Sequence, residues 1–135
     1  MGGVAGHSGY FTTASDVAKY MRILLNGGKL PEDVTRVLPE AQVKLFTEKV
    51  EGLSYSNTRA YGFDTYCPGT LMKNCFGHNG STGILAWADK DRKIVLAVLT
   101  NRGHPDSSNN LFFTFYEAKI IDAIMKAIDT AQEGN

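Results

Sequence analysis

The stretch Ile84 to Thr100, ILAWADKDRKIVLAVLT, does most to limit the folds open to this chain. Two short apolar runs, Ile84 to Ala88 and Ile94 to Thr100, flank the charged pentad Asp89-Lys90-Asp91-Arg92-Lys93. Apolar runs of that length joined by a short polar turn predict a β-hairpin. In the second run, IVLAVL is almost unbroken in apolarity, which predicts a strand covered on both faces and central in its sheet. Any fold for this chain must therefore bury a sheet on both sides.

Upstream the period is helical. From Thr13 to Asn26, Val17, Tyr20, Met21, Leu24 and Leu25 form the i, i+3, i+4, i+7, i+8 stripe of a helix lying on a core. Thr13 with Asp16 resembles a capping box, and Gly27-Gly28 supplies the stop. A second, shorter helix is expected from Pro39 to about Val50, with Leu38, Ala41, Leu45 and Phe46 on one side. Lys29 to Val37, punctuated by Pro31, reads as an irregular link, and Leu53 to Arg59 as a polar loop. The period then switches to two. Tyr61 to Tyr66 predicts a strand, and Leu71 to Phe76 predicts another that leads into a glycine turn. After a loop rich in Pro, Asp, Ser and Asn, the stripe Ile121, Ile124, Met125, Ile128 predicts a C-terminal helix long enough to lie across the sheet. The fold class is α+β, an antiparallel sheet flanked by helices.

With 135 residues the chain is expected to form one domain, of a size that buries roughly two-thirds of its unfolded surface. Fourteen Lys and Arg balance fourteen Asp and Glu without a block of either sign, so neither a nucleic acid nor an anionic membrane is an expected partner. No apolar run approaches the ~18 residues of a membrane helix, and the start MGGVAGHSGY lacks the regions of a signal peptide. The compartment stays open. Cys67 and Cys75 suit a small loop disulfide or two buried thiols. With His78 they give C-x7-C-x2-H, a poor zinc spacing with no fourth ligand, so neither metal nor cofactor is expected.

The chemistry concentrates in FGHNGSTG, Phe76 to Gly83. Gly77, Gly80 and Gly83 let backbone pass close to something or take up positive φ. A glycine turn at a sheet edge with His78 exposed is one reading; the wall of an active site is the other. HNGSTG resembles the H-x-G form of the K-T-G motif on the active-site strand of serine β-lactamases, penicillin-binding proteins and related esterases. GGVAGHSGYFTTASDVAKYMRILLNGG is similar to the segment that precedes that strand, and ILAWADKDRKIVLAVLTNRGHP to the hairpin that follows it. On these three segments residues 1–135 are identified as the C-terminal portion of a class C β-lactamase-like serine hydrolase domain, with a partial β-lactamase-like (transpeptidase-like) fold.

The resemblance implies acyl transfer on a small β-lactam, peptide or ester substrate. It implies that His78 replaces the family lysine as the polar or cationic group facing the reacting centre, where a neutral imidazole can also relay a proton. The Ser81 backbone N–H then forms half of an oxyanion hole, and Asn79 and Gly80 contact substrate. The S-x-x-K nucleophile motif is not found: none of Ser8, Ser15, Ser54, Ser56, Ser81, Ser107 and Ser108 has Lys three residues on. Acting alone, the chain is expected to be inactive. Tyr55-Ser56-Asn57 fits the letters of the second motif but follows the GGVAG segment instead of preceding it, so it reads as a surface loop. His7 reads as a turn residue and His104 as a loop residue. Two alternatives accompany the hydrolase reading. One is a non-catalytic binding or self-associating module, with homo-oligomers formed through an exposed sheet edge. The other is an unrelated enzyme using Ser8 in GHSGY, one residue short of G-x-S-x-G.

Overall fold

The computed structural model describes residues 2–32, 35–53 and 57–134. Helix α1, Ala14–Leu25, and helix α2, Glu40–Thr47, precede strands β1, Cys75–Gly80, β2, Ile84–Asp89, and β3, Ile94–Val98. A π-helical turn, Phe112–Tyr116, then runs into helix α3, Glu117–Glu133. The strands form one antiparallel sheet in the order β1-β2-β3. The α+β arrangement expected from the changing period is the one observed.

The pleat divides the core in two. On one face Cys75, Leu85 and Trp87 pack with Met72 and with Ile121 and Met125 of α3, and Ile94, Leu96 and Val98 close over them. On the other face Phe76 and Ala88 pack with Met21 and Leu24 of α1 and Val43 of α2, flanked by Ala86 and Val95. Alternate residues of each strand thus belong to opposite clusters, and both faces of β3 are covered, as its unbroken apolarity requires. Its position in the sheet differs from the expectation. Among the described residues β3 is an edge strand and β2 is central. Apolarity reports coverage of the faces by helices and carries no information about pairing at the edges.

Three further expectations are corrected. The strand predicted over Leu71 to Phe76 lies later, at Cys75–Gly80, so most of the glycine segment is strand and only Gly80 to Gly83 is turn. Tyr61 to Tyr66 is not a strand: it contributes single bridges, Asp64 to Arg59 and Asp64 to Gly77, because its alternation serves a tight loop. The face of α2 is rotated from the one expected. Val43 and Thr47 are buried, whereas Leu45 and Phe46 lie exposed, and the helix ends at Thr47 where the Lys90 ammonium donates to the Thr47 carbonyl at 3.0 Å. For α1 the reading holds. Thr13 caps the helix by accepting from the Asp16 N–H at 3.2 Å, Met21 and Leu24 are buried, and Gly27-Gly28 ends it.

Polar ties close the structure. Cys67 and Cys75 form a disulfide, Cα–Cα 5.5 Å, which joins the 61–70 loop to β1 and takes both sulfurs out of any metal-ligand role. Closing so short a loop stabilises by roughly 2–3 kcal/mol in the chain-entropy account. Asp122 of α3 accepts from the Thr70 and Leu71 amides at 2.8 to 3.0 Å and holds the same loop from the other side. In the hairpin turn the fully buried Asp89 accepts from the backbone N–H groups of Asp91 and Arg92, and Arg92 bridges Asp89 Oδ2 at 2.8 Å to both carboxylate oxygens of Asp129 on α3. Removing Arg92 leaves a buried carboxylate with only its two amide donors. Arg92→Ala is expected to cost about 3 kcal/mol in urea unfolding, and the double variant Asp89→Asn/Arg92→Ala less, because the stranded charge is then gone.

Candidate active site

Strand β1 carries the site by alternation. Gly77 and Asn79 face α3, and Phe76 and His78 face α1 and α2. A Cβ on Gly77 would sit 2.4 Å from the Trp87 ring and 2.4 Å from the Ala86 carbonyl oxygen. The glycine is required so that the indole can lie flat against the strand. Trp87, fully buried, then donates from Nε1 to Asn79 Oδ1 at 2.8 Å.

The Asn79 carboxamide uses its other hydrogens as well. Nδ2 donates to Glu117 Oε1 at 2.7 Å and to the Tyr66 hydroxyl at 2.9 Å. Tyr66 also stacks edge-on against Trp87, with centroids 4.7 Å apart. One side chain therefore ties β1, β2, the disulfide loop and the start of α3 together, with both amide protons and the carbonyl engaged. Burial raises the Glu117 carboxyl above its ordinary value, partly offset by the Asn79 hydrogen bond. Burial also pushes the Tyr66 hydroxyl up, helped by the negative charges of Glu117 and Asp64, so it remains a phenol at ordinary pH.

His78, on the opposite face, is 60% exposed, and its Nε2 lies 4.0 Å from Oδ2 of Asp64. Asp64 is a residue that sequence reasoning missed; its place in a period-two run concealed that its backbone bridges Gly77. The turn beyond the strand is closed by the Gly83 N–H donating to the Gly80 carbonyl at 3.0 Å, leaving Ser81 and Thr82 exposed at its tip. That bond does not use the Ser81 amide. Gly83 has φ +85°, and a Cβ there would meet Thr100 Oγ1 at 2.1 Å, so the turn is pinned to the segment after β3.

His78, Gly80 and Ser81 thus stand together at the open end of β1, while Asn79, expected beside them as a substrate contact, directs its amide into the molecule. Of Tyr55-Ser56-Asn57, Tyr55 and Ser56 lie outside the described residues, and Asn57 accepts from the Gly52 N–H at 2.8 Å as a turn residue. His7 lies in an exposed turn next to Ser8, Nδ1 3.4 Å from its Oγ, and His104 lies in an exposed loop. The sheet does not bring either of them to His78. Among the described residues no helix is long and apolar enough to cross a membrane.

An antiparallel sheet between helices, with an H-x-G strand ending in an exposed tight turn, fits a partial β-lactamase-like fold. The beta-lactamase family model matches residues 1–114, and the chain belongs to that family. It is 32% identical over 122 residues to a protein of Escherichia coli K12 described as a putative D-alanyl-D-alanine carboxypeptidase, covering 83% of this chain and 28% of that protein. A Salmonella agona protein of the same description is 34% identical over 119 residues, covering 81% and 26%. The chain spans little more than a quarter of the length of these relatives. No solved structure matches at a significant level.

Because the folded Glu117 carboxyl holds its proton to higher pH than the unfolded one, ionising it costs the folded state more. Its contribution to stability is therefore fully present below the ordinary value of 4.5 and is lost as pH rises above it. Glu117→Gln keeps an oxygen for Asn79 and removes the buried charge. Chemical denaturation is expected to find this variant more stable than the parent at pH 7, with the difference shrinking as pH falls toward 4.5.

Proposed function

We propose that residues 1–135 are the C-terminal portion of one serine hydrolase domain and supply one wall of its acyl-transfer site. His78 faces the reacting carbonyl as the polar or proton-relaying group, the Ser81 backbone N–H supplies one half of the oxyanion hole, and Gly80 contacts the substrate. Asn79 acts from beneath, holding the strand straight through Trp87 and Glu117. The nucleophilic serine and its lysine come from residues outside these 135, and the chain alone is inactive. The substrate class is a small acyl donor, a β-lactam, peptide or ester. The description of the relatives favours a peptide ending in D-alanine. The observation that carries this reading is the exposure of His78 beside the Gly80 to Gly83 turn, while the amide of its half-buried strand neighbour is engaged by Glu117, Tyr66 and Trp87.

A second reading, a non-catalytic module that self-associates, is favoured by the exposed Tyr20, Leu45 and Phe46 and by the outer edge of β3, which no described segment pairs.

Intact-mass spectrometry after incubation with a penicillin and a fluorophosphonate, beside nitrocefin and p-nitrophenyl ester turnover, tests the first reading. No adduct and no turnover is expected from the chain alone. An adduct on any serine, Ser8 above all, sinks the assignment. Grafted in place of the matched segment of the Escherichia coli relative, the chain is expected to support release of D-alanine, and His78→Ala in that chimera to lose about 100-fold or more in kcat.

A further inference from the structure

We infer that Asp64 is the positioning residue of His78, fixing which imidazole nitrogen carries the proton. Three separate observations converge on this. First, the backbone of Asp64 is paired to β1 one residue before His78: its N–H donates to the Gly77 carbonyl at 2.8 Å, and it accepts from the Gly77 N–H at 3.0 Å. That pair of bonds places the Asp64 Cα against the strand edge independently of its side chain. Second, the carboxylate is itself held, because Arg59 donates from Nη1 to Asp64 Oδ1 across the Arg59 to Asp64 bridge. The loop carrying both residues is closed by the Thr65 N–H donating to Thr58 at 2.8 Å and by the Ala60 N–H donating to Phe63 at 2.8 Å. Third, the oxygen Arg59 leaves free, Oδ2, is the one directed at His78 Nε2, 4.0 Å away.

The environment makes this pairing effective. The Asp64 side chain is only 19% exposed, so its charge is screened less than that of a surface carboxylate, and Arg59 offsets the cost of burying it. An imidazole facing such an oxygen keeps its proton on the nitrogen nearest to it. A separation of 4.0 Å is closed by a small rotation of the ring or bridged by one water. With the proton on Nε2, the lone pair of Nδ1 remains free for a reacting group. The role assigned to that lone pair rests on the hydrolase reading of His78; the placement of the proton does not.

The test is made on the whole chain, labelled with nitrogen-15, by long-range proton–nitrogen correlation spectra at about pH 8, where an ordinary imidazole is neutral. His78 is expected to show the Nε2–H form as its dominant state. In Asp64→Ala the share of the Nδ1–H form at least doubles, Asp64→Glu restores the original balance, and His7 and His104 do not change. Protection of the Gly77 amide from exchange reports whether the bridge survives. If Asp64→Ala disrupts it, Asp64→Ser, too short to reach the ring, carries the comparison. A His78 tautomer balance indifferent to Asp64, or dominant Nδ1–H in the parent, overturns the inference. Either outcome leaves the hydrolase reading standing if His78→Ala still disables the chimera, while a normal tautomer response with a chimera indifferent to His78 overturns the hydrolase reading alone.

Discussion

The carboxamide of Asn79 makes one hydrogen bond to each of three elements, and the arrangement of the site depends on them. Trp87 of β2 donates to its oxygen; Glu117 of α3 and Tyr66 of the disulfide loop accept from its nitrogen. Burying an amide costs a few kcal/mol unless its donors and acceptor are met, so a side chain with both amide protons and its oxygen engaged can be tolerated half-buried between the elements it joins. The same bonds specify geometry. A slip of β1 by one residue replaces Asn79 with His78 or Gly80 opposite Trp87 and Glu117, and neither can make all three bonds.

The two faces of β1 therefore have different work. The face toward α3 is aromatic, and it keeps one carboxyl, Glu117, where ionisation is disfavoured. The face toward α1 and α2 buries Phe76, then presents His78 with Asp64 beside it, and the strand ends in a turn whose tip is exposed. Gly77 is what allows both at once: without a Cβ, the strand takes the indole on one side while its backbone is bridged by Asp64 at the edge.

Much of this was legible in the chain. The stripe of α1, its threonine cap and glycine stop, the hairpin and the C-terminal helix follow from local periodicity, which is a property of neighbouring residues. What failed was what depends on distant partners. Leu45 and Phe46 looked like the buried face of α2, but Val43 is the one that packs with α1 and β1, and Thr47 is buried beside it. Tyr61 to Tyr66 alternates as a strand does and forms only bridges. At the site, the histidine and the glycines were readable as a motif, whereas Asp64, Arg59 and Glu117 carried no signal, being ordinary charged residues 14 and 39 positions from His78 or otherwise remote in sequence.

By itself the sequence determined the class of fold, the place of the H-x-G segment and the absence of an S-x-x-K motif in these residues, because periodicity and motif spacing are local and need no partner. Only the tertiary structure decided which strand is at the edge, which way Asn79 and His78 point, and which carboxylates stand behind them. Those outcomes are set by packing between elements tens of residues apart, where a few kcal/mol of burial and hydrogen bonding select one register from several that the local pattern allows.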